Sequence, residues 1–500
     1  MYFLFQGFLL VMVRKRKLGA SASCGAEDAN CAENTIDRFS NLPDEVAHRI
    51  LSLLSFKDLT RVGALSKRCR QFYLSAPVVS FEYSSCKPRG VTNQKIAKLM
   101  SFLDRYLCYR GDRWMQIFSI NWSCFGSEPA SKFSDDRFRV ITWIVNAVRC
   151  NVEVLDLRLA CEFLALPSCV FLSESLRSLS VHLTWMILEA PSVSFSSNLC
   201  YLKLAKVTIV DERFFKWISR SCKFMKELQL IWIRGIQKIS IESSSLESLL
   251  VWINDPSPIH LNISGQKLES IDISFNDYYA RTRIIEVNSF AQNLNYLKWE
   301  GVLNNSLNLG KLTGLEKVEI FLEPRRNKFD KVFEFLHSVR WAKVLIINEE
   351  TMKAFKEGSM SAPLDNIRKL GIHCSSLKDD LVPAMVSLVR GMTNLNSLYI
   401  KTSLDGGDAK SASGFGMGYW KLQNLAFVRQ LKEVTIEPST GSNEIEFAQY
   451  ILEHSQNLKK MFIFLHHGAE QSKVAGGMVN RSKMISTATI VIQGWKKACL

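Results

Sequence analysis

The residue types best suited to chemistry in this 500-residue sequence are its thirteen cysteines and eight histidines. The nearest cysteine pairs, Cys24/Cys31 and Cys161/Cys169, lack the second spaced pair or the histidine partners that a zinc site uses. The adjacent histidines at 466–467 have no third ligand. An odd number of scattered cysteines is typical of reduced thiols in a cytosolic or nuclear protein. We therefore predict no metal and no cofactor, and a cytoplasmic or nuclear location.

The sequence also lacks the short motifs by which enzymes arrange nucleophiles, phosphates or catalytic metals. It contains no GxxxxGK[ST] loop, no HExxH, no GxSxG and no kinase set. We predict no catalytic residues, so any function must come from binding.

Charge and hydropathy limit the classes of partner. The sequence has 63 basic and 48 acidic residues, but the excess is spread thinly and forms no concentrated basic footprint, so no nucleic acid is expected. The apolar run at 1–13 is too short to span a bilayer, and its basic residues follow it where a signal peptide would place them first. We expect no membrane partner, and we interpret residues 1–35 as a disordered extension or the product of a misassigned start.

The residues that could recognise a partner must be positioned by a repeated element, the pattern L-x-x-L-x-L with other apolar residues allowed at its fixed places. Copies begin at Met115, Val152, Leu176, Leu199, Met225, Leu246, Leu268, Leu294, Leu315, Ala342, Ile367, Leu395, Leu431 and Leu458. Between Val152 and Leu395 successive copies start 21 to 28 residues apart. A strand of period two followed by a return by loop or helix predicts a leucine-rich-repeat solenoid of parallel strands, an α/β fold in which the fixed residues are core.

The side chains between the fixed positions face outward on the predicted concave surface. They mix aromatic rings with both signs of charge, which suits a macromolecular partner better than a small substrate. The residues selected as target-binding candidates are Trp252, Lys298, Phe321, His373 and Tyr399.

A compact helical unit precedes the repeats. Pro43 with the acidic residues after it suits a first helical turn, and Ser55 and Ser66 are N-cap candidates for a second and a third helix. Three short helices cannot bury all of their own apolar surface. The remaining stripe is either an interface or packs on the rest of the chain, since the two alternatives look alike in sequence.

The phrases IDRFSNLPDEVAHRILSLL and ALSKRCR resemble the F-box of plant proteins that join an F-box to leucine-rich repeats. The resemblance implies docking on a Skp-type adaptor, itself bound to a cullin. It assigns the contact to Leu42, Pro43, Ile50, Leu53, Leu59, Val62 and Leu65. Family members usually have tryptophan where this chain has Cys69, and the smaller side chain is expected to leave a gap in the third helix that weakens adaptor binding.

The segment DDRFRVITWIVNAVRCNVEVLDLRL, with a helix predicted over 135–149, resembles the same plant family. WKLQNLAFVRQLKEVTIEPSTGSNEIEFAQYILEHSQNLKKMFIF resembles the FBD region that closes such proteins, with a packed helix that caps the repeats. We thus predict an F-box at 36–76, a solenoid at 113–415, an FBD-like region at 416–465 and a tail at 466–500.

The resemblance implies a substrate-recognition subunit of a Skp-cullin-F-box ubiquitin ligase, in which the F-box recruits the adaptor and the repeats bind an unknown target. One alternative is a binding protein or decoy whose F-box is degenerate because of Cys69. Another is a membrane or secreted receptor, against which the charge order and the cysteine pattern argue.

Overall fold

A computed structural model describes the chain over most of its length. It covers residues 39–84, 93–123, 134–159, 166–191, 196–254, 259–275, 285–303, 307–310, 312–323, 329–358, 360, 363–375, 377, 379–402, 415–437, 443–465 and 489–494. The predicted extension at 1–35 lies outside these residues.

The helices are, in chain order, α1 (Asp44–Leu51), α2 (Phe56–Gly63), α3 (Lys67–Leu74), α4 (Asn93–Arg110), α5 (Ser134–Arg149), α6 (Arg213–Ser221), α7 (Phe329–Ser338), α8 (Glu349–Glu357), α9 (Val382–Arg390), α10 (Met417–Gln423) and α11 (Asn443–His454). The strands are β1 (Val78–Ser84), β2 (Ile117–Ser123), β3 (Val154–Leu159), β4 (Ser178–Ile187), β5 (Tyr201–Thr208), β6 (Glu227–Ile231), β7 (Lys238–Glu242), β8 (Ser248–Ile253), β9 (Ile259–Ser264), β10 (Ser270–Phe275), β11 (Ile285–Phe290), β12 (Tyr296–Gly301), β13 (Leu307–Asn308), β14 (Lys317–Leu322), β15 (Val344–Asn348), β16 (Lys369–Cys374), β17 (Ser397–Thr402), β18 (Glu433–Ile436), β19 (Lys460–Leu465) and β20 (Thr489–Gly494).

The chain divides into two compact units at residue 47. In the first, a turn at residues 39–42 closes with a hydrogen bond from the Leu42 N–H to the Phe39 carbonyl at 3.1 Å, and α1 begins after it with the Ala47 N–H donating to the Pro43 carbonyl at 3.0 Å. Proline suits this position because its missing N–H would have no helical partner there.

The second unit, residues 48–500, contains a 16-stranded sheet whose neighbours all pair in parallel, in the order β1-β2-β3-β4-β5-β6-β8-β10-β12-β14-β15-β16-β17-β18-β19-β20. Each of the fourteen predicted repeat copies begins two residues before one of these strands, and the predicted α/β fold with a parallel-strand solenoid is confirmed. The fixed apolar positions are core: in β3, for example, Leu155, Leu157 and Leu159 are at most 1% exposed.

Strands β1 and β20 extend this sheet at its two ends and were not predicted. Residues 78–84 and 489–494 alternate apolar and polar side chains only briefly and lack the L-x-x-L-x-L pattern. Strand β20 lies within the segment assigned to a tail, and it pairs with β19 in parallel from Lys460↔Thr489 to Leu465↔Gly494.

The return path differs between two parts of the array. Where copies start 21 to 26 residues apart, from Met225 to Leu315, the returns include β7, β9, β11 and β13, which form a second, four-stranded sheet. Where they start 25 to 28 residues apart, from Leu315 to Leu395, the returns are α7, α8 and α9. The two ranges of repeat length overlap, so length alone does not decide whether a repeat returns by a strand or by a helix.

The helix predicted over 135–149 is α5, which begins one residue earlier. The helix predicted in the FBD-like region is α11, where Phe447, Tyr450, Ile451 and Leu452 are buried. At its first turn the Asn443 amide donates to the Leu377 carbonyl at 2.9 Å and to Asp379 Oδ1 at 2.8 Å, and the Leu377 N–H donates to Glu444 Oε1 at 2.7 Å. These bonds fasten the FBD-like region to the preceding repeats.

Candidate functional site

Two surfaces are candidates for recognition, and the first lies on the helices of the second unit at residues 48–74. The N-cap predictions hold locally: the Asp58 N–H donates to Ser55 Oγ at 3.3 Å, and the Cys69 N–H donates to Ser66 Oγ at 3.0 Å. Side-chain caps at these positions satisfy N–H groups that have no partner within the helix.

Part of the predicted adaptor-binding set is buried within the chain. Leu59 is 1% exposed and Val62 is 4% exposed, so both are core residues of α2. Phe56, beside them, packs edge-on against Phe81 and Tyr106, with ring centroids 5.6 and 5.3 Å apart. That Leu59 and Val62 contact an adaptor stays a prediction, and as folded here they offer no surface to one.

The helices α2 and α3 rest on α4, which introduces the repeats. The rings of Tyr73 and Tyr106 lie 4.7 Å apart. Arg110, 1% exposed, donates from Nη1 to the Ala76 carbonyl and to the Tyr106 hydroxyl, both at 2.7 Å. A buried guanidinium needs such acceptors to offset the loss of water. It therefore holds the end of the helical unit against the first repeat.

Other members of the predicted set are accessible. Leu53, in the turn after α1, is 66% exposed, while Ile50 and Leu65 are half-buried. In the first unit, Pro43 is exposed and Leu42 is half-buried. A leucine that stays two thirds exposed gains little from folding, so Leu53 is the best single candidate for a contact with a partner.

Cys69 is 3% exposed and lies in the interior of α3. It can therefore affect adaptor binding only through the packing of that helix.

The second surface is the aromatic face, which comprises Trp252, Lys298, Phe321, His373 and Tyr399. These residues lie on the outward side of β8, β12, β14, β16 and β17, and the structure brings all five into one continuous row. The sequence pattern predicted that each of these five residues faces outward, but it did not predict the contacts among them.

Lys298 lies at the centre of one half of this face. Its ammonium is 5.8 Å from the Trp252 ring and 5.9 Å from the Phe321 ring, distances at which a cation is attracted to both. It is also 3.8 Å from Asp272 Oδ2 and 3.2 Å from Glu300 Oε2. This neutralises much of its charge within the face.

Asp272 links the lysine to the tryptophan. The Trp252 indole N–H donates to Asp272 Oδ1 at 3.2 Å. Burial raises the pKa of Asp272 above its ordinary value, while Lys298 and the indole hydrogen bond act in the opposite direction. Neither Asp272 nor Glu300 was among the target-binding candidates predicted from the sequence.

The other half of the face is a row of rings. Phe321 stacks on His373 with centroids 5.4 Å apart, and His373 meets Tyr399 edge-on at 6.1 Å. The Tyr399 hydroxyl donates to Glu437 Oε1 at 3.0 Å. Burial, followed by the bond to Glu437 and its charge, raises the pKa of Tyr399 to about 12.

The stacking of Phe321 on His373 crosses an intervening strand, β15, whose Asn348 is paired with His373. The Asn348 amide is engaged with the backbone, donating to the Leu322 carbonyl at 2.7 Å and accepting from the Thr351 N–H at 3.1 Å. Because this side chain is held at the start of α8, the two rings can meet above the strand. The periodicity of the sequence does not predict that Phe321 and His373 stack across β15.

Gly371 makes room for Ile346, its register partner on β15. A Cβ at Gly371 would lie 3.2 Å from Ile346 Cγ1, which is tight. The absence of a side chain here therefore leaves space for Ile346.

Burial, with Lys401 adding to the effect, lowers the pKa of His373 below its ordinary value, whereas Glu319 and Glu437 oppose the shift. A neutral imidazole stacks between the two rings without the cost of desolvating a charge. At neutral pH the aromatic face thus presents uncharged rings flanked by Lys298 and by carboxylates.

In the part of the chain that the structure describes, no group of three or more histidine, cysteine or acidic side chains is placed to hold a metal ion. Among the same residues, no helix is long and apolar enough to cross a membrane.

Comparison with known proteins agrees with this arrangement. The F-box domain model matches residues 39–72, and the FBD model matches residues 427–463. F-box/LRR-repeat protein 13 of Arabidopsis thaliana is 22% identical over 91% of this chain and 96% of its own length. An F-box/FBD/LRR-repeat protein of the same plant is 21% identical over 85% of this chain and 91% of its own, and an FBD-associated F-box protein is 23% identical over 88% and 92%.

An F-box domain implies, in general, binding to a Skp-type adaptor, and the names of these relatives denote adaptor-type rather than catalytic proteins. The chain therefore contains an F-box domain and an FBD domain, with a solenoid of parallel strands between them, and it is similar over most of its length to F-box/FBD/LRR-repeat proteins of Arabidopsis.

Proposed function

We propose that this protein is the substrate-recognition subunit of a Skp-cullin-F-box ubiquitin ligase, acting in the cytoplasm or nucleus without catalytic residues of its own. The observation that carries the proposal is the F-box match at 39–72, within which Leu53 keeps two thirds of its surface exposed. An apolar side chain presented in this way can be buried by an adaptor at little cost to the fold.

The mechanism is proximity. The adaptor and cullin hold a charged ubiquitin-conjugating enzyme, and the receptor holds the target near it. The effective concentration of the target lysine rises without any contact between this chain and the bond that forms.

Target binding is assigned to the aromatic face. Half-buried aromatic residues bordered by charges are typical of residues that contribute most of the energy of an interface. Lys298 and its two carboxylate neighbours would orient the target, while Phe321, His373 and Tyr399 provide apolar area.

The deciding experiment is a pull-down of the full-length protein with a purified Skp-type adaptor, comparing wild type with Leu42→Ala/Pro43→Ala. Wild type is expected to retain the adaptor and the cullin, and the double variant is expected to lose both. Retention by both proteins would place the contact elsewhere. A circular dichroism spectrum equal to that of wild type would show that the double variant is folded.

The alternative is a repeat-containing decoy with a degenerate F-box, and it rests on Cys69. Since this side chain lies inside α3, a defect there would act by disordering the helix. Failure of wild type to bind the adaptor, with recovery of binding in Cys69→Trp, would establish that alternative.

A further inference from the structure

Three bulky residues at the carboxyl ends of neighbouring strands adopt a left-handed backbone. Trp185 in β4, Lys206 in β5 and Trp232 directly after β6 have φ values of 60°, 53° and 53°. Residues other than glycine, asparagine and aspartate rarely take this conformation, because the Cβ crowds the following carbonyl. The pairing of β4 with β5 shifts register between His182 and Met186, where the first of them lies.

The same three residues and Arg234 form alternating contacts between cations and rings. The Arg234 guanidinium is 3.3 Å from the centroid of the Trp185 ring, and the Lys206 ammonium is 5.1 Å from that of Trp232. We call Trp185, Lys206, Trp232 and Arg234 the tryptophan shelf. Strained backbone that recurs in adjacent repeats and orients functional groups is typical of binding sites.

The backbone beneath the shelf is held by hydrogen bonds between repeats. The Ile209 N–H donates to the Arg234 carbonyl at 2.8 Å, and the Thr208 hydroxyl donates to the Trp185 carbonyl at 3.1 Å. The shelf is therefore organised before any partner arrives, which reduces the entropy lost on binding.

The surface of the shelf is apolar as well as basic. Trp232 is 39% exposed, and the neighbouring Ile187 and Val210 are 55% and 57% exposed. These side chains contribute little to the core, where the fixed residues of the repeats already pack. A partner that covers them must itself be apolar in part.

The charge around the shelf is positive. After burial, the groups that lower the pKa of His182 are Lys206, Arg158 and Lys203, with Asp156 opposing them. Three cations thus lie near one imidazole beside the shelf, and one of them, Arg158, is 3.5 Å from Asp156 Oδ2. Carboxylates on a partner would complement this charge.

The shelf is continuous with the aromatic face, because the Trp232 N–H donates to the Trp252 carbonyl at 2.6 Å. We propose that the tryptophan shelf docks an acidic peptide segment of the target that alternates carboxylates with large apolar side chains. This inference rests on the proposed function, in which the repeats capture a protein.

Other ligand classes fit less well. A small molecule usually buries most of its surface in a concave pocket, whereas this surface is open and spans three strands. Single-stranded nucleic acid binds by stacking bases on free aromatic faces, and here Arg234 and Lys206 already cover a face of each tryptophan.

The test is a fluorescence polarisation titration of the full-length protein with a labelled peptide of about twelve residues alternating glutamate with leucine, long enough to cross three strands at roughly 3.3 Å per residue. We expect Lys206→Glu/Arg234→Glu to weaken binding by about tenfold or more. The matched control Lys238→Glu/Lys267→Glu reverses two exposed lysines of the four-stranded sheet and its following turn, and it should change affinity by less than about twofold.

Because charge reversal at Lys206 could disturb the fold, a second variant, Trp232→Gly, removes the ring while relieving the left-handed backbone. It should weaken binding of the same peptide without lowering the melting temperature. A matched peptide with lysine in place of glutamate should not bind.

Equal affinity of wild type and both shelf variants would overturn the proposal. No binding of the glutamate-leucine peptide at about 1 mM protein would do the same. So would tighter binding of a single-stranded oligonucleotide that depends on Lys206 and Arg234. Adaptor capture is measured on the same preparations: loss of capture with intact peptide binding would refute only the ligase function, and the reverse result would refute only the shelf.

Discussion

Leucines 53 and 59 were both predicted to bind an adaptor, and the structure assigns them opposite physical situations. Leu53 is 66% exposed in the turn after α1, whereas Leu59 is 1% exposed inside α2. Truncation of each to alanine therefore separates binding from folding.

The exposed fractions of Leu53 and Leu59 set the expected losses of adaptor affinity and of stability. Fully burying a leucine side chain is worth about 1.5–3 kcal/mol, so burying the exposed two thirds of Leu53 against an adaptor is worth about 1–2 kcal/mol. Since 1.4 kcal/mol is a factor of ten, Leu53→Ala should weaken adaptor affinity by about five- to thirtyfold. Its effect on the free energy of unfolding should stay within about 0.5 kcal/mol. Leu59→Ala, by contrast, should destabilise the protein by about 2–5 kcal/mol because it creates a cavity.

The assay is isothermal titration of each purified variant with a Skp-type adaptor, combined with urea unfolding of the same samples. Leu422→Ala is the matched control, because Leu422 is 84% exposed on α10, away from the F-box. Its adaptor affinity should equal that of wild type. Wild-type affinity in Leu53→Ala, with an unchanged unfolding curve, would refute the assignment of Leu53 to the interface.

Three further predictions concern the fold and the aromatic face. In a urea titration, Asn443→Ala should lower the free energy of unfolding by about 1–3 kcal/mol, since it leaves the buried Leu377 carbonyl without its donor. The control Asn457→Ala removes an exposed bond to the Arg429 carbonyl and should lower the free energy of unfolding by less than about 1 kcal/mol. Trp232→Gly should be more stable than Trp232→Ala by thermal unfolding, because only glycine is relaxed at a φ of 53°; the reverse order would contradict the strain argument. His373 has a pKa below the ordinary 6.5 in the folded state, so the unfolded chain binds its proton first and stability should fall as the pH drops through 6.5. His373→Asn should therefore lose less stability between pH 7.5 and 5.5 than wild type. Equal losses would show that His373 does not contribute to this pH dependence.

The strands of the long sheet were predictable because their signal is local. A period of two fixes which side chains enter the core, and a spacing in the twenties fixes how often the chain returns, so all fourteen copies coincide with strands. Helix caps at Ser55 and Ser66 were predictable for the same reason, since a cap depends on three or four consecutive residues. Strands β1 and β20 were not predictable, because they lie at the ends of the array and lack the L-x-x-L-x-L motif. Their pairing with the neighbouring strands β2 and β19 is seen only in the structure.

What the sequence by itself determined about this protein is therefore the repeat, the order of modules and the identity of the outward-facing aromatic residues. Tertiary structure alone decided which apolar residues of the F-box stay exposed, because the sequence pattern of an amphipathic helix is the same whether its apolar face meets solvent or packs against α4. It also decided that Phe321 and His373 stack across β15, since that contact depends on Asn348 being held at the start of α8. Tertiary structure also decided the left-handed backbone of Trp185, Lys206 and Trp232, because hydrogen bonds between repeats, which no local sequence pattern encodes, hold these segments.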